Sequence, residues 1–128
     1  MAFLNRQYTA LAGGAVNTTT SLIAPPGADG LAGPNILVLD SLEGSFTPTT
    51  TNASAYMQLQ LFDANAATAV WTKRILANSV TGAPTPISIH WPQGGPRIST
   101  SAPQLITAAG NSLAANGVLI GISYHFEP

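Results

Sequence analysis

The sequence predicts an all-β protein: a single-domain β-sandwich of jelly-roll or Greek-key type over residues 21–128, with an extended N-terminal arm over residues 1–20. Three features point there. Apolar and polar residues alternate through roughly eight short segments. Ten prolines and twelve glycines punctuate a chain of 128 residues. No window carries a helical period. A strand with one apolar face must bury it, and two sheets packed face to face meet that need. The length corresponds to about one domain and can enclose a core without disulfides or a metal.

The arm ends in Gly13-Gly14 and the polar run Asn17-Thr18-Thr19-Thr20, and can wrap a neighbour or fray. Ser21-Leu22-Ile23-Ala24 is a short strand stopped by Pro25-Pro26-Gly27, and turn residues continue from Asp29-Gly30 to Gly33-Pro34. Ile36-Leu37-Val38-Leu39 is a continuous apolar run, as expected of a strand covered on both faces, and alternation resumes from Asp40 to Phe46. Tyr56 to Phe62 alternates cleanly, with Met57, Leu59 and Leu61 on one face and Gln58 and Gln60 on the other. Ala64 to Ala69 reads as a connection and Val70 to Leu76 as the next strand.

Pro86 opens and Pro92 closes a short strand near a sheet edge, with Ile87, Ile89 and Trp91 on one face and Ser88 and His90 on the other. Brief strands follow from Arg97 to Thr100 and from Gln104 to Thr107. Asn116-Gly117 tolerates positive φ at both positions and is the strongest local signal for a type I′ hairpin. The last strand, Val118 to Phe126, sets Val118, Ile120, Ile122, Tyr124 and Phe126 on one face.

Charged residues make up 7% of the chain, against about 25% in an ordinary soluble domain. Thr, Ser, Asn and Gln carry the polar surface instead, and neutral groups cost less than charges when a neighbour strips their water. That favours life inside an assembly over a weakly charged monomer. The net charge is −1 and the cations are Arg6, Lys73, Arg74 and Arg97, so no basic stripe answers a run of phosphates and nucleic-acid binding is not expected. The absence of cysteine excludes disulfides, thiolate metal sites and a thiol nucleophile. Met1 to Arg6 places its cation after the apolar residues, so no secretory signal is expected, and no apolar stretch is long enough for a membrane-spanning helix.

Catalytic machinery is not expected. His90 and His125 alternate with apolar neighbours on strands and read as facing solvent or a subunit contact. Asp29, Asp40, Glu43, Asp63 and Glu127 are the carboxylates, and Asp40 and Glu43, three apart in a strand, are expected on opposite faces rather than across a cleft. There is no Gly-x-Ser-x-Gly elbow, and Gly94-Gly95-Pro96 lacks the lysine and helix of a phosphate loop. No cofactor or metal is expected. Asn17-Thr18-Thr19 and Asn52-Ala53-Ser54 match the glycosylation pattern by chance in so Thr- and Asn-rich a chain. Trp71, Trp91, Tyr56 and Tyr124 offer either a sugar-stacking platform or core packing. Adjacent Lys73 and Arg74 point to opposite strand faces, so one can meet a partner while the other is solvated.

Four stretches follow one another in a distinctive order: Leu22-Ile23-Ala24-Pro25-Pro26-Gly27-Ala28, the strand Ile36 to Leu42, the turn and strand Gly94-Gly95-Pro96-Arg97-Ile98-Ser99-Thr100-Ser101, and the closing Gly117-Val118-Leu119-Ile120-Gly121-Ile122-Ser123-Tyr124. Over about the last hundred residues their order resembles the small jelly-roll decoration, or cement, proteins of tailed-bacteriophage capsids. The chain departs from that pattern in a longer Asp29 to Pro34 loop and in its arm. The resemblance implies a non-enzymatic homotrimer, made in the bacterial host cytoplasm, that binds the major capsid protein where capsomers meet and clamps the expanded shell. Candidate subunit or capsid contacts are Phe3, Arg6 and Tyr8 of the arm and Lys73, Arg74, Arg97 and His125 of the sandwich. The alternative is a glycan-recognition module of fibre-tip or adhesin kind.

Overall fold

Two antiparallel sheets hold almost all of the chain described by the computed structural model, which covers residues 7–11, 16–29 and 33–128. Among these residues nine strands are present: β1 (Gln7–Leu11), β2 (Thr18–Ser21), β3 (Ile36–Thr50), β4 (Tyr56–Asp63), β5 (Thr68–Leu76), β6 (Thr85–His90), β7 (Arg97–Ile98), β8 (Pro103–Gly110) and β9 (Ala114–Glu127). The first sheet runs β1-β9-β3-β6, with β7 also paired to β3, and the second runs β2-β8-β4-β5. Strand β6 pairs with Ser41 to Phe46 and β7 with Leu37 and Val38, so the two are one strand interrupted by the loop 91–96. Taken so, eight strands divide between two four-stranded sheets in the order of a jelly roll, the fold class expected from the sequence.

The core lies between the sheets. Leu37, Leu39, Leu42 and Phe46 of β3 and Ile120, Ile122 and Tyr124 of β9 face Met57, Leu59 and Leu61 of β4 and Leu105 of β8, all fully buried. Each such side chain is worth about 1.5–3 kcal/mol on burial, so this interface is the main force holding the sheets together. The last strand behaves as its alternation requires, with Val118 to Phe126 burying every second residue. Tyr124 is wholly buried, and its hydroxyl accepts a hydrogen bond from the Ile23 amide at 3.0 Å. At the β4–β5 connection Asp63 accepts from the amides of Asn65 and Ala66 and from the Thr100 hydroxyl. The Thr100 bond is the chief reason its carboxyl titrates below the ordinary value.

Within the stretch read as an arm, two segments belong to the sandwich. Strand β1 pairs with β9 from Gln7↔Tyr124 to Leu11↔Ile120, and β2 pairs with β8 from Thr18↔Thr107 to Ser21↔Gln104. The threonine run that looked like polar tether is an edge strand: β-branched residues suit a half-exposed ladder, and the Thr107 hydroxyl donates to the Val16 carbonyl and accepts from the Thr18 amide. The strand expected at residues 21–24 is displaced accordingly, and ends at Ser21.

Asn116-Gly117 is not a hairpin turn. Strand β9 runs through it, and two residues, Gly117 and Val118, oppose Phe46 alone between the pairs Ser45↔Leu119 and Thr47↔Asn116. With Gly117 at φ 58°, this is a bulge with glycine in the left-handed region. The turn falls five residues earlier, at Asn111 and Ser112, with φ 52° and 66° and a hydrogen bond from the Leu113 amide to the Gly110 carbonyl. It carries the chain from the second sheet to the first. Both positions hold a left-handed backbone, but only one has the residue that prefers it. Gly117→Ala is therefore expected to cost about 1–2 kcal/mol and Ser112→Gly to cost nothing or stabilise slightly, as read by urea denaturation.

Candidate functional site

The chemistry-bearing side chains gather on the outer face of the first sheet, and a bulge in β3 puts them there. Leu39 pairs with Tyr124 and Ser41 with Ser123, leaving Asp40 as an extra residue. Before this point the odd positions Leu37 and Leu39 point inward, and after it the even positions Leu42 and Phe46 do. Asp40 and Ser41 consequently both turn outward. The expectation that Asp40 and Glu43 lie on opposite faces fails for the same reason, because the extra residue reverses the alternation between them.

His125 of β9 sits between two carboxylates. Its Nδ1 is 2.8 Å from Asp40 Oδ1 and its Nε2 is 2.7 Å from Glu127 Oε2. Arg97 of β7 reaches the other oxygen of Glu127 at 3.1 Å. Ionised carboxylates only accept hydrogen bonds, so the ring bonds both of them at once when it is protonated and both nitrogens donate. Burial alone would push its pKa down, but the hydrogen bonds and charges of Glu127 and Asp40 outweigh that and hold it above the ordinary 6.5. Glu127 is held below its ordinary value, chiefly by the bond from His125. The four groups carry no net charge together, and an imidazolium with both nitrogens engaged has no lone pair for a metal. Among the described residues no cluster of three ligand side chains fits a metal ion.

His125 was expected to face solvent or a subunit contact. It does lie on the outer face, but only 13% of its side chain is exposed. Val38, opposite it in register, is fully buried on the same face, with Gly94 of the loop 91–96 against it. The continuous apolar run from Ile36 to Leu39 is thus covered on both sides, by the core and by this loop.

Next to the network, Ser123, Ser41 and His90 form one row across β9, β3 and β6. They line an open cleft of about 330 Å³ together with Asp40, Trp91 and Pro92. His90 Nε2 meets Glu43 Oε1 at 3.0 Å, with both side chains more than half exposed. Trp91 packs edge-on against Trp71 of β5, with ring centroids 5.5 Å apart. Its ring also lies on Gly95, where a methyl group would come within 2.4 Å of it.

The other expected site residues do not join this face. Lys73, opposite Leu59, and Arg74, opposite Gln58, are exposed on edge strand β5 of the second sheet. Arg74 stacks over Tyr56, 4.5 Å from the ring centroid, and donates to Gln58. Tyr8 stands opposite Ser123 in the register of β1, while Phe3 and Arg6 lie outside the described residues. The four aromatics form no common platform: Tyr124 is in the core, Tyr56 is under Arg74, and the two tryptophans close one edge of the sandwich. Sequence reading missed the Asp40–His125–Glu127 grouping because it joins residues 85 positions apart through an unforeseen bulge.

No family model matches this chain, and no curated protein matches it. Among solved structures it is similar to VP2 of infectious bursal disease virus, determined as a subviral particle, with a TM-score of 0.50 and 11% identity. The match covers 97% of this chain and 34% of that one. The structure of the Gx strain of the same virus is also similar, with a TM-score of 0.38 and 15% identity over 94% of this chain and 32% of the other. The chain therefore spans about a third of the length of the proteins it matches. The first likeness bears on the fold, a β-sandwich of viral capsid type.

The pH dependence of the charged network follows from its two shifted groups. His125 titrates above 6.5 in the fold, so its contribution is complete below 6.5 and is lost as pH rises through its folded value. Glu127 titrates below 4.5, so its contribution is complete above 4.5 and is lost as pH falls through its folded value. Thermal stability is expected to be highest between these two ordinary values. His125→Gln is expected to remove the decline on the alkaline side, measured as Tm against pH.

Proposed function

We propose that this chain is a non-enzymatic structural protein of a virus particle and, more narrowly, a decoration protein that binds the outside of a phage head. In this reading it acts as a homotrimer, contacts the major capsid protein and stabilises the shell. The observation that carries the proposal is the eight-stranded jelly roll, nearly the whole of which superposes on part of a protein solved as a subviral particle. The surface chemistry supports it. Ile23, Val70, Leu76, Val80 and Leu119 are large apolar side chains left about half exposed or more, and most of the remaining surface is uncharged. Neutral polar and apolar surface is desolvated at low cost, and weak contacts repeated on a symmetric lattice gain by avidity. Lys73 and Arg74, exposed on the β5 edge, are available for such contacts.

The test is addition of the purified protein to phage capsids stripped of decoration. Saturable binding in a fixed ratio to the major capsid protein, with raised resistance of the particles to heat, is the expected outcome. Absence of binding at micromolar protein, with particle stability unchanged, would remove the decoration reading.

A further inference from the structure

We propose that the cleft beside the charged network is a binding site for a neutral saccharide. This goes beyond the capsid reading and does not rest on it. The floor is the row Ser123–Ser41–His90, three in-register positions on adjacent strands, so its spacing is set by the sheet ladder rather than by a loop. The serine hydroxyls both donate and accept, which matches the dual character of sugar hydroxyls. His90 turns its Nε2 toward Glu43, which leaves Nδ1 as the ring nitrogen not engaged by that carboxylate. Asp40 stands at the rim with both carboxylate oxygens within 3.0 Å of His125 Nδ1, which fixes the orientation of its side chain.

Trp91 and Pro92 supply the apolar side of the cleft. The tryptophan is fixed by Gly95 against its ring and by its T-shaped contact with Trp71, so the apolar side that it lends the cleft is already in place before a ligand arrives. About 330 Å³ is at the small end of ligand sites and fits one or two sugar rings. An anionic sugar is disfavoured, since Asp40 and Glu43 are the nearest charges on this row that a ligand would meet. Among the described residues no unpaired lysine or arginine lines the cleft.

The experiment is NMR titration of the full chain with lactose, cellobiose and N,N′-diacetylchitobiose. The resonances followed are the Trp91 indole N–H and the amides of Ser41 and Ser123. At least one sugar is expected to give saturable shifts at these three groups, with a dissociation constant on the order of 1 mM. Ser123→Leu fills the floor from an outward position and is expected to weaken binding at least about tenfold with an unchanged Tm. Gly95→Ala, which displaces the Trp91 ring, is expected to weaken binding as well, here with a lowered Tm because that ring packs on Trp71 and the core. No shift with any of the three sugars, or shifts that persist undiminished in Ser123→Leu, would overturn the proposal. Failure here leaves particle binding untouched, so the two readings fall separately.

Discussion

Strand β3 can lie between β9 on one side and β6 and β7 on the other only because its ladder to β9 is irregular at three points. Two unbroken strands of this length would twist past each other and keep one parity throughout. The irregularity at Asp40 reverses which residues of β3 face inward, and the one at Gly117 does the same for β9. Before Gly117, Leu113 and Ala115 are the residues that pack on the core, and after it Val118 and every second residue to Phe126. This pairing joins the third strand to the last, so it forms late in the chain's order and must outweigh a large loop-closure entropy. The buried row from Leu37 to Phe46 against Val118 to Phe126 supplies the compensation.

The same constraint explains how much of the molecule was legible in the sequence. Strands β4, β6 and the later part of β9 were readable because period-two alternation survives in them without interruption. The double coverage of Val38 was also readable, since four apolar residues in succession leave no solvent face. Threonine-rich β2 was missed because an edge strand needs little apolar content and offers no pattern to read. Asn116-Gly117 was misplaced because a left-handed glycine serves a bulge as well as a turn, and local sequence does not distinguish them. The true turn used Asn and Ser, a weaker signal.

The candidate site was legible only in its parts. Arg97 and His125 were singled out, but not their meeting through Glu127, because pairing across strands is a property of register. His125 is better understood as a group that fixes the outer end of β9 to the β3 bulge than as a free contact. Its two carboxylate partners and Arg97 balance it within the network. Trp91 was singled out for sugar stacking, but its neighbours in the cleft were not legible for the same reason: Ser41, His90 and Ser123 are far apart in the chain and become neighbours only when β3 is flanked by both β6 and β9.

In the proposed function the surface associates through apolar and neutral polar contacts rather than through charge. Such contacts are not screened by salt, whereas surface ion pairs are. Light-scattering mass in solution, measured at low ionic strength and again at about 1 M salt, addresses this directly. The expected result is a mass near three times the 13.1 kDa chain under both conditions. A mass of one chain throughout, or an oligomer that dissociates as salt is raised, would contradict it.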